Sequence, residues 1–142
     1  MKQWNALSEN RRNRIERGLA ITGRIVDPSK IVALLEVLVE SGDRVCLEGN
    51  NQKQADFLAA ALCQLDPARV HDLHMLQSVL ALPEHLDLFD KGIASKLDFS
   101  FSGPQGAQLA RLVAAGKINI GAIHTYLCLL YTSDAADDLL CV

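Results

Sequence analysis

Aromatic residues are scarce, 5% of 142 positions. A core therefore has to come from Leu, Ile, Val and Ala, and that aliphatic bias suits a buried parallel sheet covered by helices. No CxxC pair occurs: Cys46, Cys63, Cys128 and Cys141 lie far apart. That spacing argues against a disulfide framework or a zinc site and fits the reduced thiols of a cytoplasmic protein. Long apolar runs are missing too. The most apolar stretch, Ile31 to Val39, is interrupted by Glu36 and is too short to cross a bilayer, so no membrane insertion is expected. Met1-Lys2-Gln3-Trp4 leads into polar residues, without the apolar segment and cleavage site of a secretory signal. Positive charge is not in excess: Lys+Arg 14 against Asp+Glu 17 gives a net charge of −3. Without a global basic field, nucleic acid is not an expected partner, because its binding depends on counterion release. P-loop, GxGxxG and GxSxG sequences are absent, and no Ser/His/Asp order can be supported.

What is present reads as one folded domain. Hydrophobic residues make up 49% and charged residues 22%, ordinary values for a globular chain. Residues 8 to 20 predict a short polar helix capped by Ser8. Its cluster of Arg11, Arg12, Arg14 and Arg17 is read as a solvated face, with contact to an acidic partner such as a carrier protein as the alternative. Asp27-Pro28 is a helix start, a capping carboxylate followed by proline at the first position. Ile31, Leu34, Leu35 and Leu38 then recur at helical spacing and define a buried face. Arg44 to Leu47 reads as a buried strand with Cys46 an inert core thiol, and a helix follows from Gln54 to Leu65. Val70 to Met75 reads as a second strand. A short helix runs from Pro83 to Phe89, ended by Gly92, with His85 at its surface. Leu97 to Phe101 is a third strand, Ala107 to Ala115 a helix closed by Gly116, and Ile118 to Ile123 a fourth strand. Four alternations of strand and helix predict an α/β fold: an open, mostly parallel sheet with flanking helices and right-handed crossovers, preceded by a short N-terminal helix.

Three segments follow: an N-terminal polar helix or arm at 1–25, an α/β domain at 26–126, and a tail at 127–142. The tail, LCLLYTSDAADDLLCV from Leu127, has neither strand alternation nor a capped amphipathic helix. It resembles the adapter read-through that ends some metagenomic reading frames and is expected to be non-native.

Ligands of open parallel sheets bind beyond the carboxyl ends of the strands. Here that edge comprises Glu48, Gly49, Asn50, Asn51 and Gln52 after the first strand and Met75 to Ser78 after the second. Ser102, Gly103, Pro104, Gln105 and Gly106 follow the third, and His124-Thr125 the fourth. Gly49 lets the backbone turn, and the amides offer neutral donors suited to a phosphate or a thioester carbonyl. The plainer reading is that these amides cap a helix and satisfy a turn. Glu48 is the one carboxylate at the end of a buried strand, a possible base or orienting group. His74 and His124 both fall near strand ends, and each is either a substrate contact or a satisfied structural group. His71 and His74, three apart, face opposite ways on a strand and make a poor metal pair.

From GDRVCLEGNNQKQADFLAAAL (Gly42 to Leu62) onward the sequence resembles the malonate decarboxylase α subunit. The resemblance runs on through DPARVHDLHMLQSVLALPEHLDLF, LDFSFSGPQGAQLARLV and GKINIGAIHTY, covering Val26 to Tyr126. It implies a CoA transferase-like α/β fold and an acetyl-S-carrier protein:malonate carrier-protein transferase, an enzyme that exchanges acetyl for malonyl on a carrier-protein thiol. It also implies a phosphoribosyl-dephospho-CoA arm on the carrier as substrate, no cofactor bound directly, and no metal. The acyl carrier subunit, the other decarboxylase subunits and malonate are the implied partners. Glu48 to Gln52, Ser102 to Gln105, His74 and His124 are then candidates for contact with substrate or arm. The family's chain is several times longer and its relatives draw on later residues for catalysis, so no catalytic residue is assigned and the chain is expected to be an inactive fragment. The alternative is a non-catalytic CoA- or nucleotide-binding α/β module.

Overall fold

The computed structural model describes residues 2–23, 25–47 and 55–123, with side chains from residue 8 to residue 121 of those stretches. In chain order these are α1 (Lys2–Thr22), α2 (Ile31–Leu38), β1 (Arg44–Leu47), α3 (Asp56–Leu62) and β2 (Leu73–Val79). Then come α4 (Glu84–Asp90), β3 (Ala94–Phe101), α5 (Gly106–Ala114) and β4 (Asn119–Ile123). The four strands form one parallel sheet in the order β1-β2-β3-β4. Each crossover thus moves one strand along in the same direction, and right-handed crossovers then place α3, α4 and α5 side by side on one face. Contacts from α2 to α3, α3 to α4 and α4 to α5 accord with that single helical layer.

Strand alternation sorts the sheet's two faces. Leu47, Leu73, Met75, Leu97 and Phe99 point into the helical layer and pack with Ala59, Leu62, Leu86, Phe89, Leu109 and Leu112. These aliphatic side chains and two phenylalanines are the core that the composition foretold. Arg44, Cys46, His74, Leu76, Lys96 and Asp98 alternate with them and so lie on the second face.

Asp27 accepts from the Ser29 backbone N–H at 2.9 Å and from its hydroxyl at 2.7 Å. The Asp27-Pro28 start is therefore real, although it opens a 3-10 turn (Pro28–Lys30) that leads into α2. No residue of α2 is fully buried. Its apolar surface is shared: Val32 and Leu35 pack on the core, while a Cβ at Gly18 of α1 would meet Leu34 and Leu38. Two half-buried faces thus replace the single buried face expected from the spacing.

The N-terminal helix is longer than predicted, and Ser8 lies inside it rather than at its cap. Its anchor is Arg14, expected at a solvated surface but 8% exposed. The guanidinium Nη1 donates to the Leu38 carbonyl at 2.9 Å and to the Asp43 carboxylate. Leu38 is the last residue of α2, so the cation sits where helix carbonyls lack intrahelical partners and the macrodipole is negative. Two more expectations give way. Cys46, placed in the core by its apolar neighbours, is exposed on the second face, and His85, placed at the surface, is 2% exposed. The second strand starts three residues later than expected and runs on to Val79, so Gln77 and Ser78 belong to β2 rather than to a loop.

Candidate functional site

At the carboxyl edge the described structure brings two loops together. The loop after β3 holds Ser102 and a 3-10 turn (Gly103–Gln105), then enters α5 at Gly106. The loop after β2 runs from Leu80 to Pro83. Leu80 N–H donates to the Phe101 carbonyl at 3.1 Å, and the Gln105 side-chain amide donates to the Ala81 carbonyl at 3.3 Å. Gly103 has φ +54, and a Cβ there would stand 3.2 Å from the Leu80 carbonyl oxygen. A glycine is required on both counts, since L-residues avoid that φ and the space is taken. The loop is thus pinned to its neighbour, with Ser102 and Gln105 half-buried and Pro104 exposed.

No side chain caps the start of α5. It continues directly from the 3-10 turn, so the N-terminal end of the helical run, with dipole polarity suited to an anion or a carbonyl oxygen, lies at Ser102 and Gly103. Ser102 and Gly106 join Phe99, Phe101, Leu109 and Ile120 in lining a groove of about 420 Å³. A polar rim on an apolar groove is the usual composition of a small-molecule site.

Beneath this edge lies a polar group that the sequence reading placed in the loop after the second strand. Gln77, 2% exposed, projects from β2 toward α4 and donates from Nε2 to the His85 carbonyl at 3.4 Å, while its Oε1 has no hydrogen-bond partner. The two ring nitrogens of His85 and Oε2 of Glu84 are also enclosed without one. The Val79 backbone lies beside the imidazole, but not at hydrogen-bond geometry. Burial holds the His85 pKa below its ordinary value, against the nearby Glu84 and Asp56 carboxylates, which favour its charged form. The signal for Gln77 was available: in LHMLQSV it shares a face with Leu73 and Met75 by simple alternation.

His74 is not at this edge. It is the second residue of β2, near the opposite end of the sheet, and its Nε2 lies 2.9 Å from Oδ2 of Asp98 on β3. The geometry is not that of a hydrogen bond, so the two groups are close neighbours only. Arg44 Nη2 stands 3.9 Å from the same oxygen. Gly121 of β4 leaves room for this carboxylate, since a Cβ there would collide with Asp98 Oδ1 and crowd the Lys96 side chain. Glu48, Gly49, Asn50, Asn51, Gln52 and His124 lie outside the described residues, as does the tail from Leu127. Among the described residues no three His, Cys, Asp or Glu side chains are grouped to hold a metal ion, and no helix is long and apolar enough to cross a membrane.

The family model for the malonate decarboxylase alpha subunit, described as a transporter, matches residues 3–138. The chain belongs to the malonate decarboxylase alpha-subunit family. Within it, a protein of Malonomonas rubra named acetyl-S-ACP:malonate ACP transferase is 49% identical over 128 residues, covering 89% of this chain and 23% of the relative. The alpha-subunit fold is matched as well. The crystal structure of a Pseudomonas malonate decarboxylase hetero-tetramer in complex with malonate aligns with TM-score 0.86 and 49% identity over 92% of this chain and 24% of that one. A malonate decarboxylase alpha subunit from Acinetobacter baumannii aligns with TM-score 0.86 and 46% identity over 90% of this chain and 24% of that one. The chain therefore spans about a quarter of the length of the relatives it matches.

Proposed function

We propose that this chain forms the N-terminal part of a cytoplasmic transferase acting on carrier-protein thioesters. The reaction is exchange: malonate and acetyl-S-carrier give malonyl-S-carrier and acetate, the thioester C–S bond to acetyl breaking as that to malonyl forms. The observation that carries the reading is the 49% identity to an acetyl-S-ACP:malonate ACP transferase over 89% of the chain. The geometry supplies what such a reaction asks of a binding edge. Negative charge develops on the thioester oxygen during acyl transfer and needs preorganised donors. The 3-10 turn that leads into α5, with Ser102 at its head, would offer them, and the adjoining groove would offer an apolar wall.

In this reading Ser102, Gly103, Pro104 and Gln105 contact the thioester or the carrier's phosphoribosyl-dephospho-CoA arm, and Glu48 to Gln52 contribute from the loop after β1. The arm arrives as part of the substrate, so the chain binds no cofactor of its own. The acyl carrier subunit, the other decarboxylase subunits and malonate are its partners. The catalytic residue belongs to the remaining three quarters of the subunit, and the 142-residue chain by itself does not turn over.

The test is acetyl-to-malonyl exchange on the carrier subunit, measured for this chain and for a complete subunit carrying residues 1–126. Exchange by the complete subunit alone is the expected result. Exchange by the short chain refutes the assignment of the catalytic residue. No exchange by either, with CoA-like ligands still bound, replaces the transferase with a binding module.

A further inference from the structure

Gln77 departs from the pattern of its own strand face. It shares that face with Leu73 and Met75, both fully enclosed, and its register neighbours are Leu47 of β1 and Phe99 of β3. Phe99 in turn lines the groove at the carboxyl edge. A methionine would fill this place with no polar atom to satisfy. The glutamine instead makes one long hydrogen bond, from Nε2 to the His85 carbonyl at 3.4 Å, and leaves Oε1 enclosed without a partner. The net gain from one such bond is smaller than the cost of an enclosed acceptor left unsatisfied. On stability alone the position favours methionine.

What the amide does is local. The chain leaves β2 at Val79, turns through residues 80–83 and enters α4, of which His85 is the second residue. Gln77 therefore ties the start of α4 to the strand that precedes it and fixes the span of the connection between them. The loop at 102–105 is seated against that connection. Leu80 N–H donates to the Phe101 carbonyl, and the Ala81 carbonyl accepts from Gln105. A Cβ at Gly103 would stand 3.2 Å from the Leu80 carbonyl oxygen and 3.4 Å from Val79 Cγ1. Gln77 itself lies between the sheet and α4, not on an outer face, so what covers the outside of a complete subunit leaves it enclosed. Enclosed polar groups short of partners mark places where geometry outweighs stability.

We infer that Gln77 is a positioning residue for the carboxyl edge: through the His85 carbonyl it fixes residues 80–83, and through them the loop at 102–105. On the transferase reading above, on which this step rests, the loop so held is the one that meets the thioester. Gln77 stays beneath the groove and touches no substrate.

The experiment compares Gln77→Met and Leu73→Met in a complete subunit carrying residues 1–126, by deuterium uptake and by acetyl-to-malonyl turnover on the carrier subunit. Both variants nearly keep the volume of an enclosed side chain on one face of β2, Leu73 at its start and Gln77 near its end. Gln77→Met is expected to raise uptake at residues 78–83 and 102–106 without lowering the melting temperature. It is also expected to lower kcat about tenfold at unaltered KM, the mark of an interaction made only in the transition state. Leu73→Met is expected to change neither uptake nor kcat. Unchanged uptake in Gln77→Met, or an equal effect of Leu73→Met, overturns the inference. So does a lower melting temperature with uptake raised throughout the sheet, because a role confined to stability opens the whole core. Unchanged kcat in a subunit that does turn over also overturns it and leaves the transferase reading standing. The expected uptake, with no turnover by the unaltered subunit, keeps the Gln77 clamp and retires the transferase reading.

Discussion

The Asp98 carboxylate, 5% exposed on β3, lies against the imidazole of His74 on β2, with Oδ2 2.9 Å from Nε2. Arg44 of β1 stands 3.9 Å from the same oxygen, so one buried carboxyl group faces basic side chains from two different strands. Removing it takes the neighbouring carboxyl group from the largely buried ring, 15% exposed, while the guanidinium, 41% exposed, keeps its access to solvent. Asp98→Ala is expected to lower stability by about 2 kcal/mol, within the range for breaking a largely buried pair with one exposed member. Urea unfolding followed by circular dichroism gives the value, and an unchanged midpoint would mean that the three groups are independently solvated.

Gly121 depends on the same carboxylate. Gly121→Ala puts a methyl into Asp98 Oδ1 and the Lys96 chain, and overpacking of this kind costs about 1–3 kcal/mol. In an Asp98→Ala background the nearer of the two obstacles is gone and only the flexible Lys96 chain remains, so the second substitution costs less there than in the wild type. A double-mutant cycle measures that difference, and simple additivity of the two losses contradicts the contact.

Arg14 and Arg17 lie one turn apart in the same basic run and have opposite expected consequences. Arg14→Ala removes the cap on the Leu38 carbonyl and the pair with Asp43, and is expected to cost about 2–3 kcal/mol. Arg17→Ala, at an exposed position, stays within about 0.5 kcal/mol. Equal effects in thermal melts would show that α1 is not fastened through Arg14.

His85 gives the chain an acid-sensitive term. Burial lowers its folded pKa below the ordinary value of 6.5, so as pH falls through that value the unfolded chain takes up a proton that the folded one resists. Stability is therefore fully present above the unfolded pKa and is lost as pH falls toward the lower folded pKa. Asp27 and Asp90 have folded pKa values below 3.8, lowered first by the Ser29 and Lys117 hydrogen bonds respectively, and contribute in a more acidic window. Melting temperature is expected to drop on going from pH 7 to pH 5.5, and His85→Leu flattens that stretch of the curve. An equal slope in the variant assigns the sensitivity to other groups.

These residues also mark how far the sequence could be read. Local chemistry was legible: Asp27-Pro28 opened its turn, Gly92 and Gly116 followed α4 and α5 with positive φ, and Arg44 to Leu47 formed a strand where expected. Tertiary chemistry was not. Gln77 and Ser78 looked like loop residues because they are polar, yet they continue β2, whose neighbours β1 and β3 pair with it on both sides. Arg14 looked like its neighbours in a basic run until α2 supplied a carbonyl at the right place. His74 changed ends of the sheet because β2 begins at Leu73 rather than Val70, a shift of three residues that moves a side chain from one edge to the other. Of the candidate site, Ser102 to Gln105 emerged as a defined loop because glycine and proline fix backbone shape locally.

On the proposed function the carboxyl edge, and not the His74–Asp98 pair, meets the thioester. Acetyl-to-malonyl exchange in a complete subunit assembled with its carrier tests this through two substitutions. Gly103→Val disturbs a loop that needs φ +54 and has the Leu80 carbonyl 3.2 Å from any Cβ. It is expected to lower kcat/KM by about 100-fold, since small misplacements at a reacting centre carry losses of that order. His74→Ala is expected to leave kcat/KM nearly unchanged. A large loss from His74→Ala with full exchange by Gly103→Val would place the chemistry on the other side of the sheet and contradict the account.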